Sequence, residues 1–111
     1  MNIEELTIKE AREIARLFGS EPTQSSNPYE MGAVYLIRTV TMIDTGKLVR
    51  VTEHELVLTD AAWIVDTGRF ADAVKKAEFN EVEPFPDGEV IIGRGALVDA
   101  VKITRAPRSQ K

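Results

Sequence analysis

The spacing of apolar residues changes between Gly68 and Asn80, and this change limits the folds open to the chain. On either side, β-branched and aromatic residues come in short runs. Within it, Phe70, Ala73, Val74 and Ala77 recur at helical spacing. One short helix near residues 69–79 is therefore expected among strands. Val, Tyr, Ile and Thr dominate residues 33–43, which favours a strand. Asp44-Thr45-Gly46-Lys47 predicts a turn, with residues 48–51 as the hairpin partner. A second turn through Thr52, Glu53 and His54 leads to predicted strands over 56–58 and 61–65. Asn80 is placed to end the helix in the left-handed conformation. Pro84, Pro86, Asp87 and Gly88 predict a tight turn. Strands then follow over 89–92 and 96–103, separated by Gly93-Arg94-Gly95. The economical assembly is an α+β fold built on a mostly antiparallel, meandering sheet.

Upstream, Thr7 and Glu10 have capping-box spacing, and Leu6 is placed to staple onto Ala11. A helix over 8–18 follows, with Ile8, Ala11, Ile14, Ala15 and Phe18 on one face and Gly19 as its stop. Residues 20–28 are rich in Ser, Pro, Thr, Asn and Gln and suit a linker. The organisation read from the chain is an N-terminal helix over 1–19, a linker over 20–32, a body over 33–105 and a polar, mobile tail over 106–111.

At 111 residues the chain is long enough for one core and too short for two. Its 43% hydrophobic and 29% charged content fits a globular domain. A net charge of −4 argues against duplex nucleic acid as a partner, because such a reader needs a basic face, yet it permits a local basic pocket for one small anion. With no cysteine there is no disulfide framework, thiol nucleophile or thiolate metal site. The start Met-Asn-Ile-Glu-Glu lacks the pattern of a secretory signal, and no apolar run has membrane-spanning length. Cytoplasmic residence without membrane contact is the expectation.

The chemistry-bearing residues are sparse. His54, the single histidine, sits in a predicted turn and reads as a solvated residue, since a triad or a zinc site needs more partners. Glu81 and Glu83 alternate on an extended segment, a pattern that surface strands also carry for solubility. Thr67-Gly68-Arg69 and Gly93-Arg94-Gly95 lack the spacing of phosphate-loop or dinucleotide fingerprints. Glycine nevertheless lets a ligand approach the backbone, and arginine offers a fork of donors that matches phosphate. Residues 63–88 thus hold the best candidate ligand site, with Arg69, Phe70 and the backbone donors of a helix start close together. Taken alone, the helical spacing of Phe70 with Val74 and Ala77 favours a core position. Trp63, followed by Ile64 and Val65, reads as a core anchor.

The strings RTVTMIDTGKLV, VLTDAAWIVDTGRFADAV, FNEVEPFPDG and IIGRGALVDA, between about Tyr35 and Thr104, resemble the first-described family of phage Thoeris anti-defence proteins. These are small sponges that sequester a cyclic ADP-ribose isomer made by the bacterial Thoeris system. The resemblance implies a ligand-contacting aromatic at Phe70 and an amide at Asn80. It also implies arginines around the phosphates, for which Arg105, Arg94, Arg69 and Arg38 are available. Glycocyclic ADP-ribose or a related cyclic nucleotide is the implied partner, held without catalysis, cofactor or metal in the host bacterial cytoplasm. Homo-oligomers, hexamers in the family, and cyclic trinucleotides bound at subunit junctions are implied in the same way. In the tail, Arg105 and Arg108 would permit closure over a pocket. Two other classes stand beside this reading: a nucleotide-degrading enzyme using Glu81 or Glu83 with a metal, and a phage structural or protein-interaction module.

Overall fold

The structure, a computed structural model, describes residues 27–111. The helix expected over 8–18 lies outside the described residues. Six strands, one α-helix and one 3-10 turn make up the body. In chain order they are β1 (Val34–Thr39), β2 (Ile43–Val51), β3 (Glu55–Asp66), α1 (Phe70–Lys76), β4 (Glu81–Pro84), β5 (Val90–Gly93), the 3-10 turn (Arg94–Ala96) and β6 (Leu97–Lys102). Every strand pairing is antiparallel, and the strands run β4-β3-β2-β1-β6, with β5 also paired to β3. The expected α+β class holds, but the sheet is more than a meander, because β6 returns to pair with β1. A three-residue turn joins β5, beside β3, to β6, beside β1. Such a turn spans only about 10 Å, so the sheet curls until its two sides nearly meet.

Each face of the curled sheet buries its own core. Tyr35, Ile37, Leu48, Leu56, Leu58, Ala61 and Ile92 pack together on one side. Leu36, Ala62, Ile64, Val82 and Ile103 pack on the other with Ala73 and Ala77 of α1 and with Phe79. β1 feeds both sides through the alternation of a strand, Tyr35 and Ile37 one way and Leu36 the other. β3 does so through a bulge. Leu58 faces Leu48 and Thr59 faces Lys47, but Ala62 faces Thr45, so β3 carries one extra residue. That residue is Asp60, at φ 52, a conformation Asp tolerates better than most residues. The bulge shifts β3 by one position, so what reads as two strands, 56–58 and 61–65, is one strand serving both cores.

Three local expectations are corrected. The turn expected at Asp44–Lys47 lies instead between Thr39 and Met42. There the Thr39 hydroxyl donates to the Met42 carbonyl at 2.9 Å and accepts from the Met42 N–H at 3.0 Å. Gly46 is a strand residue, and a Cβ at its position would lie 3.0 Å from the Leu58 side chain and 3.2 Å from the Thr59 carbonyl oxygen. Its glycine serves close packing rather than a turn. Second, the left-handed residue that ends α1 is Ala77, at φ 53, and not Asn80. Buried at 3% exposure, Ala77 sits among Ala73, Phe79 and Val82, and packing of the next strand holds it there.

Third, the ends of the body are held down. The Tyr29 ring meets Tyr35 edge-on at 5.8 Å and the Gly32 N–H donates to Leu48 at 2.7 Å, so the stretch expected as linker is packed from Tyr29 onward. The tail expected to be mobile lies along β4. Val82 and Lys111 exchange two backbone hydrogen bonds, 2.9 and 3.0 Å. The Arg108 guanidinium donates to the carbonyls of Ala61 at 2.5 Å and Phe85 at 3.0 Å. The Ala61 carbonyl also accepts from the Phe85 N–H at 2.9 Å, so the guanidinium fork adds a second donor there while it satisfies the Phe85 carbonyl.

Candidate functional site

The segment Asp66–Asn80 leaves β3, forms α1 and returns to β4. The Asp66 carboxylate accepts from the Gly68 N–H at 2.8 Å, and the Asp66 carbonyl accepts from the Asn80 N–H at 2.9 Å, closing the excursion at its base. Gly68 takes φ +67, and a Cβ added there would lie 2.8 Å from the Asn80 side-chain oxygen. Asn80 therefore lies flat on the Gly68 backbone. Gly68→Ala is expected to destabilise the protein by about 1–2 kcal/mol through the left-handed conformation alone, with Asn80 displaced as well. Urea denaturation measures this, and an unchanged midpoint would mean the site does not depend on the glycine.

Two cavities flank this base. A smaller one of about 150 Å³ is lined by Thr67, Gly68, Arg69, Asp72, Asn80 and, on its far wall, Glu78, Phe79 and Lys111. A larger one of about 320 Å³ opens between the end of α1 and the tail, with Ala77, Phe79 and Val82 as an apolar floor and Arg105 and Arg108 at its rim. Glu78, Phe79 and Lys111 belong to both. The structure thus sets Arg69 and Asn80 in one cavity and Arg105 in its neighbour, with three lining residues shared between them. At seven residues α1 is too short to supply the expected helix-start anion site, and its Asp72 and Ala73 N–H groups are already taken by the Arg69 carbonyl at 3.1 and 3.0 Å. Anion binding falls to side chains.

Phe70 and Arg38 form a second group. Phe70 is 42% exposed, so the core position its spacing favours is not the one it takes; Ala73 and Ala77 are the residues the helix buries. The Arg38 guanidinium lies 4.9 Å from the centre of the Phe70 ring, a cation–π contact. It is held there by Asp99, whose Oδ1 accepts from Nε at 2.8 Å while Oδ2 pairs with the second nitrogen. This hydrogen-bonded pairing holds the Asp99 carboxyl below its ordinary range and raises Arg38 above its own. Nothing in the pattern of the chain marked Asp99 as a partner, since the two meet only through the β1–β6 ladder.

Arg94 does not join either group. Its guanidinium donates to the Thr52 carbonyl at 2.8 Å and lies 6.0 Å from the Tyr29 ring, pinning the β2–β3 turn. His54 in that turn is exposed. Trp63, expected as a core anchor, is 39% exposed, because the bulge at Asp60 turns Ala62 and Ile64 inward and Trp63 outward. It lines an open groove of about 360 Å³ with Val65, Arg38 and the tip of the β1–β2 hairpin. Glu81 is exposed and Glu83 half-buried on β4. Among the described residues no group of three His, Cys, Asp or Glu side chains is arranged to hold a metal, and no helix is long and apolar enough to cross a membrane. In comparisons with family models, curated proteins and solved structures, nothing matches the chain.

Proposed function

We propose that the protein binds a cyclic ADP-ribose-type nucleotide and sequesters it intact. The observation that carries this reading is the exposed Phe70 ring, braced on one side by the Arg38 guanidinium, next in the chain to Arg69, which shares a cavity with Asn80. An aromatic ring kept out of the core, an amide and unpaired guanidinium groups address the three parts of such a ligand: base, ribose and diphosphate. The guanidinium groups of Arg69 and Arg105 make no hydrogen bond or ion pair among the described residues, so the ligand need not break one to use them. Arg94 is committed elsewhere and is left out of the phosphate set.

Calorimetric titration of the full chain with cyclic ADP-ribose isomers tests the reading. Phe70→Ala is expected to weaken binding by about 1–3 kcal/mol, roughly 5- to 150-fold. The exposed position of Phe70 leaves the unfolding transition cooperative. Recovery of unaltered ligand from the heated complex is expected, whereas a converted product would replace sequestration by catalysis. No heat and no melting shift with any isomer would end the proposal and favour a protein-interaction module. A hexameric assembly and a capacity for cyclic trinucleotides belong to the same reading, and sedimentation and titration of the full chain test each separately.

A further inference from the structure

The two cavities beside Asn80 do not add up to a nucleotide site while the tail is in place. The one holding Arg69 and Asn80 measures about 150 Å³, below the roughly 300–1,000 Å³ of small-molecule pockets. Its neighbour measures about 320 Å³ and shares three walls with it. Of those shared walls, Glu78 and Phe79 belong to the α1–β4 connection. Lys111 belongs to the tail, so the end of a six-residue segment completes the partition.

That segment is attached unevenly. Its middle is anchored by the two Arg108 bonds to Ala61 and Phe85. Its end rests on the outer side of β4 through one residue pair, Val82 with Lys111, and a 3.5 Å contact from the Gln110 amide to Glu83. No further tail residue continues the ladder, and Pro84 has no N–H to offer it. Lys111 is exposed although Val82 is buried, and a single backbone pair at a sheet edge is the kind of contact that opens locally at far smaller cost than global unfolding.

We infer that residues 109–111 are a strap that closes the ligand site in the empty protein and lifts, pivoting at Arg108, to join the two cavities into one. The strap rests on the nucleotide-binding reading above for the identity of its ligand, but its opening is a property of the protein alone. When it lifts, Arg69 and Asn80 at one end and Arg105 at the other face a single cavity floored by Phe79, long enough for a ligand whose anionic groups lie apart from its base.

Locking the strap tests this directly. Val82 and Lys111 exchange both of their bonds, so Glu83 and Gln110 form the adjacent non-hydrogen-bonded pair of an antiparallel ladder, about 4.5 Å apart at Cα. That separation accepts a disulfide, and the chain has no other cysteine to interfere. The double variant Glu83→Cys/Gln110→Cys, oxidised, is expected to bind cyclic ADP-ribose at least about tenfold more weakly or slowly than the same protein reduced, because locking lowers the binding-competent fraction. Equal binding in the two redox states would overturn the strap. Hydrogen exchange on the ligand-free wild-type chain gives the second reading: the Val82 and Lys111 amides are expected to exchange well ahead of Leu48 and Leu58. Exchange as slow as those core amides would overturn the strap whatever the ligand. If the reduced variant and the wild type both fail to bind while the edge amides exchange quickly, the nucleotide reading fails and the opening of the tail stands.

Discussion

Asp44→Asn is expected to stabilise the protein at pH 7 by up to roughly 3 kcal/mol, with the gain shrinking to about 0.5 kcal/mol near pH 4. Asp44 lies on β2 between Ile37 of β1 and Trp63 of β3, only 6% exposed, and its Oδ1 has no hydrogen-bond partner. Burial pushes its carboxyl from 3.8 up to about 6. A group whose folded pKa is raised favours the fold while it is protonated in both states and loses that contribution as pH rises from the unfolded value through the folded one. The penalty therefore grows between pH 3.8 and about 6 and is constant above. Its upper size follows from about 1.4 kcal/mol for each tenfold change in proton affinity, reduced by whatever solvent screens the carboxylate. Asn stands in for the neutral acid, and any fixed cost of its amide leaves the pH dependence intact. Asp99 acts in the opposite sense, since pairing with Arg38 lowers its pKa and its contribution is lost on acidification. Comparing variant with wild type at each pH cancels that contribution. Urea unfolding from pH 4 to 8 measures the difference, and a difference that does not change with pH would show that Asp44 is not ionising in a buried site.

Asp44 also explains where sequence reading stopped short. Asp-Thr-Gly-Lys has the composition of a hairpin turn, and such a tetrapeptide seldom lies in the centre of a sheet. Here the packing of Leu58 over Gly46 outweighs local turn preference, and the buried Asp44 and the partnerless Thr45 hydroxyl record the cost. The helix, the β2–β3 turn and the strands after Gly88 were legible because local period and punctuation decide them. The bulge at Asp60 was not, since one extra residue in a strand leaves no periodic trace beyond a broken alternation. Trp63 was misplaced for the same reason. In the candidate site, Arg69, Phe70 and Asn80 flank one short helix and are near one another along the chain, but the approach of Arg38 to Phe70, its partner Asp99, the place of Lys111 and the grip of Arg108 arise from pairings between distant segments. A tail of polar residues reads as solvated whenever its backbone partners lie far back along the chain.

Phe79→Ala is expected to cost about 3–5 kcal/mol, the largest loss predicted for a single residue near the site. Phe79 is 4% exposed and packs with Ala73, Ala77, Val82 and Ile64, joining the end of α1 to the sheet. Truncation leaves a cavity that Ala77 is poorly able to fill, because its left-handed conformation is held by these same contacts. Total stability for a domain of this size is about 5–15 kcal/mol, so the variant approaches unfolding, whereas Phe70→Ala, one helix away and 42% exposed, leaves the transition nearly unchanged. Phe79→Leu separates fold from site. It keeps most of the volume, and its cost should stay below about 1.5 kcal/mol. Because Phe79 lines both cavities and directly precedes Asn80, the Leu variant is expected to remain folded while binding more weakly, as the amide loses its fixed seat on Gly68. A folded Leu variant with wild-type affinity would show that Asn80 is positioned by Asp66 and Gly68 alone. An Ala variant losing less than about 1 kcal/mol would show that α1 is not fastened to the sheet through this ring.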